Sequence, residues 1–195
     1  MLWFLIPLLV GFALNVASAY TAEWSARWGE RRGELVTAVL RNVLGIPVWA
    51  IGLILAVRTA SPALFPAAPA VEVLGWLLLG AGSVIIGLAL HDLRAKAALP
   101  STRDTLVERG LYARVRHPIH AGMFLVWISL VLVRPTAAVA LASGLGVVWT
   151  LVQTGAEESD LMRRLPAYRD YMGRVPRFVP RARRKASEVR GRGET

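Results

Sequence analysis

Apolar residues in this chain fall in long runs, with the polar ones gathered between them. Met1–Ala19 has only Asn15 and Ser18 as polar breaks, long enough to cross about 30 Å of hydrocarbon at roughly 1.5 Å per helical residue. Ala17-Ser18-Ala19 has the small-x-small look of a cleavage site, but no cationic region precedes the apolar run, so the segment is expected to stay as a membrane helix. A second run covers residues 35–57, with Arg41 near its start, where it can snorkel to the interface, and Pro47 placed to kink it. Residues 61–69 read as a Pro/Ala-rich connector. The third run, 71–90, offers Gly75, Gly80, Gly82, Ser83 and Gly87 as small faces for close helix approach. After a polar stretch come two shorter runs, 119–133 and 137–152, joined at Arg134-Pro135-Thr136. At about 15 residues, or roughly 22 Å, each is short for a full crossing, and the tight link predicts an antiparallel helical hairpin. Ala138, Ala142 and Gly146 give its second arm a small-residue stripe.

Composition turns these runs into a class. Hydrophobic residues make up 55% and charged ones 18%, with a mean hydropathy of +0.48, which excludes both an ordinary soluble domain and an intrinsically disordered chain. The expected fold is all-α: an integral membrane bundle of about five transmembrane helices, a single domain over 1–180, and a flexible basic tail over 181–195. The formal charge is +10. With the loops after the first and third runs and the C-terminal part on one side, 21 of the 23 cations share that side, and only Arg58 and Arg134 face the other. That bias predicts an outside N-terminus and a cytoplasmic C-terminus in the cell membrane. The tail suits anionic lipid head groups. No nucleic-acid partner is expected, since no aromatic interleaving or docking motif accompanies the cations. With no cysteine, thiolate chemistry and disulfides are excluded. The oligomeric state is not legible.

Groups capable of chemistry gather in two places, both at the ends of the hairpin. Upstream lie Tyr112, Arg114, Arg116, His117, Pro118, His120 and Gly122; downstream lie Glu157, Glu158, Tyr168, Tyr171 and the run Val175-Pro-Arg-Phe-Val-Pro180. The hairpin returns the chain to its starting side, so the two patches should be neighbours, with two cations and a histidine facing paired carboxylates at the membrane edge. Interfacial anchoring is the bland reading of such residues, but ionisable groups near membrane depth mark functional sites by default. No strand–glycine-rich–helix pattern for a nucleotide is present. A metal held by His91, His117 and His120 has no further ligand to support it, and none is expected.

The ordered set Gly110-x-Tyr112-x-x-Val115-Arg116-His117-Pro118-x-x-x-Gly122, an apolar hairpin, Glu157-Glu158-x-x-Leu161, and a closing Tyr-x-x-Tyr-x-x-x-Val-Pro-Arg-Phe-x-Pro resembles the isoprenylcysteine carboxyl methyltransferase and phospholipid methyltransferase-like membrane family. The resemblance covers Arg109–Pro180. It implies an S-adenosylmethionine-dependent methyltransferase with a cytoplasmic cofactor pocket and a lipophilic or lipid-anchored acceptor: a prenylcysteine carboxylate, an amino-lipid or a thiol. It also implies that Tyr112, Arg116, His117, Pro118, Gly122, Glu157 and Glu158 hold the cofactor, with Arg116 and Glu158 as positioning candidates and Gly122 admitting a close backbone approach. The family pattern carries Tyr where this chain has His120, so His120 is assigned to the substrate, and Arg41 joins it as a cation able to orient an anionic acceptor. An NADPH-dependent membrane reductase of the sterol-reductase type is the alternative enzyme. A non-catalytic membrane scaffold or transporter component is the alternative without chemistry.

Overall fold

The computed structural model describes residues 2–66, 68–94, 101 and 103–181; nearly all of the predicted basic tail lies outside them. The described residues form helices, with one isolated β-bridge between Ala63 and Thr136. The chain opens with α1 (Leu5–Ala17), bends by 68° into α2 (Thr21–Trp28), and turns through Gly29 into α3 (Glu30–Ala38). A π-helical stretch, Val39–Gly45, joins α3 to α4 (Ile46–Arg58), and the three run on as one rod. The wider winding sits just before Pro47, whose ring would otherwise meet the carbonyl four residues back, so the expected kink is absorbed as a π-turn. Then come α5 (Pro69–Leu93), a 3₁₀ turn at Gly110–Ala113, α6 (Pro118–Val133), α7 (Ala137–Arg164) and α8 (Tyr168–Arg174).

Among the described residues, three helical rods are long and apolar enough to cross a bilayer, or four if the bent α1–α2 pair counts as one span. Five were expected. The difference lies in α6, which at 16 residues stays short of a crossing, and in α1, whose 13 residues end where α2 breaks away. The second arm of the hairpin departs the other way: α7 runs 28 residues and carries both glutamates on the same continuous helix as its apolar half. Leu77, Val84 and Leu88 of α5 are largely exposed, an arrangement at home in hydrocarbon rather than water. The chain is an integral membrane protein.

Small residues set the packing. On α1, Gly11 lies against the backbone of Trp49, and on α4 Gly52 lies against that of Leu8, so the two helices touch at both glycines. On α5, Gly75 meets Leu132 and Val133, while Gly82 meets Gly122 of α6; Gly80 and Gly87 face open space, so only part of the predicted glycine face is used. The stripe on α7 is buried as expected, Ala138 and Ala142 in the core and Gly146 beneath the Trp127 ring. The centre is aromatic: Phe12 stacks on Trp149 at 4.8 Å and meets Trp127 edge-on at 6.3 Å. At the far end, Leu64 N–H donates to the Pro135 carbonyl at 2.8 Å and Ala137 N–H to the Pro62 carbonyl at 2.9 Å, so the 61–69 connector clasps the hairpin turn.

A Cβ at Gly122 would collide with the Gly82 carbonyl and with Ile86. Gly122→Val is therefore expected to cost about 1–3 kcal/mol through overpacking, read as a lower melting temperature of the detergent-solubilised protein.

Candidate functional site

Three segments distant in the chain build the site. The first is the turn into α6. Asp92, at the end of α5, accepts the Leu111 N–H at 2.9 Å, and Arg109 donates to the Asp92 carbonyl at 3.1 Å. Gly110 has φ +57°, and the Asp92 carboxylate occupies the place its Cβ would take, so only glycine fits. Pro118 then starts α6, where a missing N–H goes unnoticed. The second segment is the last third of α7, with Glu157 and Glu158. The third is α8 and the chain after it. Arg116 N–H donates to the Pro176 carbonyl at 2.8 Å and His117 N–H to the Arg177 carbonyl at 3.0 Å, so the Arg-His-Pro and Val-Pro-Arg-Phe stretches lie side by side.

Glu158, 4% exposed, ties all three together. Its Oε1 forms an ion pair with Arg116 Nη2 and accepts from His117 Nε2, both at 3.1 Å, and Arg177 clamps the carboxylate through Nε and Nη2. Arg116 also donates to the Met172 carbonyl at 3.0 Å. The hydrogen bonds to Glu158 raise the Arg177 guanidinium above its usual pKa. Tyr171 donates its hydroxyl to the Tyr112 carbonyl at 2.6 Å. Burial pushes the phenols of Tyr112, Tyr168 and Tyr171 upward, Tyr171 to about 12, so all three stay neutral.

Beside this knot lies a cavity of about 530 Å³. Its α7 wall presents Trp149, Gln153 and Glu157, every fourth residue on one helical face. The opposite wall carries Trp49, Ile46 and, from the π-turn, Arg41 and Asn42. The cavity is thus graded along its helices: aromatic at one end, uncharged polar in the middle, charged at the other. At the charged end, Glu157 accepts from Gln153 Nε2 at 3.0 Å and lies 3.9 Å from Arg41 Nη2 and 3.8 Å from His117 Nδ1. His120 is buried and stacks on His117 with ring centroids 5.5 Å apart. Thr154 donates its hydroxyl proton to the Thr150 carbonyl at 2.7 Å, so it accepts from His120 Nδ1 at 2.8 Å and leaves Nε2 as an acceptor.

Of the residues assigned from sequence, Tyr112, Arg116, His117, Glu157, Arg41 and His120 line the cavity. Pro118, Gly122 and Glu158 do not. Gly122 is taken up by the contact with Gly82, Pro118 is buried in the first turn of α6, and Glu158 faces Arg177 instead of the cavity. A metal-capable group also differs from the one weighed in sequence: His117, His120 and Glu157 can bring ligand atoms within 4.8 Å of one another, without His91. The guanidinium of Arg41 already pairs with this glutamate. Sequence reasoning missed Asn15, Trp49, Trp149 and Gln153 as cavity residues. The spacing Trp149-x-x-x-Gln153-x-x-x-Glu157 was the available signal. Asp160, in the same downstream patch, accepts from the Ala22 N–H at 2.7 Å and from Arg164 Nε at 2.6 Å and so pins the start of α2 to α7.

A family model described as "Protein of unknown function (DUF1295)" matches residues 16–175. No curated protein matches the chain, and neither does any solved structure.

Two outcomes follow from this geometry. Glu158→Gln leaves Arg116 and His117 buried without their anion and is expected to cost about 3–5 kcal/mol, measured by thermal unfolding; Arg177→Lys, at a half-exposed position, should cost less. The raised tyrosine pKa values mean that the folded state resists phenol ionisation more than the unfolded chain does. Stability should hold below pH 10.0 and fall as pH climbs toward about 12, and absorbance at 295 nm should show delayed tyrosinate formation.

Proposed function

The chain belongs to the DUF1295 family, and within it we propose an S-adenosylmethionine-dependent methyltransferase acting on a lipophilic or membrane-associated acceptor at the cytoplasmic face. One observation carries this reading. The cavity is lined by three arginines (Arg41, Arg116, Arg164) and three carboxylates (Asp104, Glu157, Asp160), so its charges balance. A balanced wall suits a cofactor carrying ammonium, carboxylate and sulfonium together. A polyphosphorylated dinucleotide asks for a surplus of cations, with arginine at its 2′-phosphate. The ordered Arg-His-Pro, Glu-Glu and Tyr-x-x-Tyr set gives independent support.

Bound there, the cofactor supplies an electrophilic methyl group; the acceptor's lone pair forms the new bond as the carbon–sulfur bond breaks and the sulfur leaves as a neutral thioether. The chain's own contribution is position and dryness. Glu157 would take the ammonium and Arg41 the carboxylate, the two lying 3.9 Å apart. Glu158 does not touch the cofactor in this scheme. It is a positioning residue that fixes Arg116 and His117. The neutral tyrosines close the wall, and the aromatic end holds an apolar acceptor beside the charged end without water. The cation bias of a five-span layout supports an outside N-terminus and a cytoplasmic C-terminus, which would put the site at the cytoplasmic surface.

A second reading has one finding in its favour: the family is associated with steroid 5-alpha-reductase-like membrane proteins. It makes this chain a reductase using NADPH. Calorimetry of the purified protein with S-adenosylmethionine, S-adenosylhomocysteine and NADPH separates the two. Methyl transfer requires both sulfur compounds to bind, Glu157→Gln and Arg41→Ala each weakening them about tenfold or more through loss of a charged contact. Binding of NADPH alone selects the reductase. Binding of none of the three, in protein that melts cooperatively, supports a non-catalytic membrane component.

A further inference from the structure

The middle of the cavity holds polar atoms that the protein itself leaves unused. Asn15 Nδ2, Trp49 Nε1 and Trp149 Nε1 are buried N–H donors with no hydrogen-bond partner among the described residues, and Gln153 Oε1 is a buried acceptor in the same condition. All four residues line the cavity. They also cluster. Asn15 touches Gly45, one helical turn from Trp49, and Gln153 follows Trp149 by one turn of α7. The Trp49 and Trp149 rings lie 5.9 Å apart, with Phe12, one turn before Asn15, stacked on Trp149. Leaving one such group unpaired in an apolar surround is costly, and four in one place is a concentration that folding alone does not call for.

We propose that this layer is the recognition site for a neutral, apolar molecule bearing one hydroxyl group. A hydroxyl oxygen has lone pairs for two of these N–H donors while its proton goes to Gln153 Oε1, so it answers both kinds of unused atom. A carboxylate has no proton for Gln153 Oε1. An ammonium would confront three N–H donors. The apolar body stacks against Trp49 and Trp149, whose N–H groups give the aromatic end its polar handles. Gln153 adjoins Glu157, so the hydroxyl lies at the border with the charged end, and the proposal concerns binding there, not the methyl-transfer step. As a binding site it stands on its own.

The test uses the full chain in phospholipid nanodiscs, with empty discs as the reference and decan-1-ol, decanoate and decylamine as probes. Decan-1-ol is expected to bind saturably, and the two charged probes at least tenfold more weakly. Asn15→Leu and Trp149→Phe should each weaken decan-1-ol about three- to tenfold, the loss of one hydrogen bond. Because Asn15 Nδ2 is unpaired without a ligand, Asn15→Leu should melt at or above the temperature of the unaltered protein. Equal or tighter binding of decanoate or decylamine overturns the proposal. So does unchanged decan-1-ol affinity in both variants, or a lower melting temperature in Asn15→Leu with affinity retained. S-adenosylmethionine titrated into the same discs keeps the two readings apart: failure there with decan-1-ol selectivity intact sinks only methyl transfer, and the reverse sinks only the hydroxyl site.

Discussion

A single buried carboxylate holds this protein's working end together. Glu158 sits on α7, yet its oxygens are taken by Arg116 and His117 from the turn into α6 and by Arg177 from the chain beyond α8. In a low-dielectric surround such charge-assisted bonds are strong only while all partners are present. The consequence is a latch between segments that the chain separates by about forty and about twenty residues. The backbone bonds from Arg116 and His117 to Pro176 and Arg177 lie beside it and are placed by it.

The cavity depends on that latch. With Glu158 turned to Arg177, its neighbour Glu157 is left to face Arg41 and the inner side of His117. Adjacent positions on a helix point about 100° apart, so two glutamates in a row divide naturally into one structural and one cavity-facing group. The same helix supplies the rest of the grading. Trp149, Gln153 and Glu157 descend one face of α7 from an aromatic to a charged environment, and the π-turn sets Arg41 against the last of them.

The membrane shapes the rest. Close helix approach at Gly11, Gly52, Gly82 and Gly122 replaces the hydrophobic driving force that lipid removes between helices. Large apolar side chains point outward on α5, and the interior keeps its polar groups for hydrogen bonds such as Trp127 Nε1 to Thr150 Oγ1 at 3.0 Å. Against that habit the unpaired atoms of Asn15, Trp49, Trp149 and Gln153 stand out, since most other polar groups near the site have found partners.

Sequence alone determined the class: a helical membrane protein, with a short-linked hairpin bringing an Arg-His-Pro turn back to a Glu-Glu pair. Those features follow from composition, run length and loop length, which are local and additive. Tertiary structure decided what depends on neighbours. Among the described residues three or four helices qualify as candidate spans, because α1 bends away and α6 is short, and no local pattern reports the angle between two helices. Gly122 went to helix packing because Gly82 happens to lie opposite. Which glutamate faces the cavity, and that Asn15 and Gln153 share it, became visible only when four helices were placed together, since periodicity names a face without saying what stands across from it.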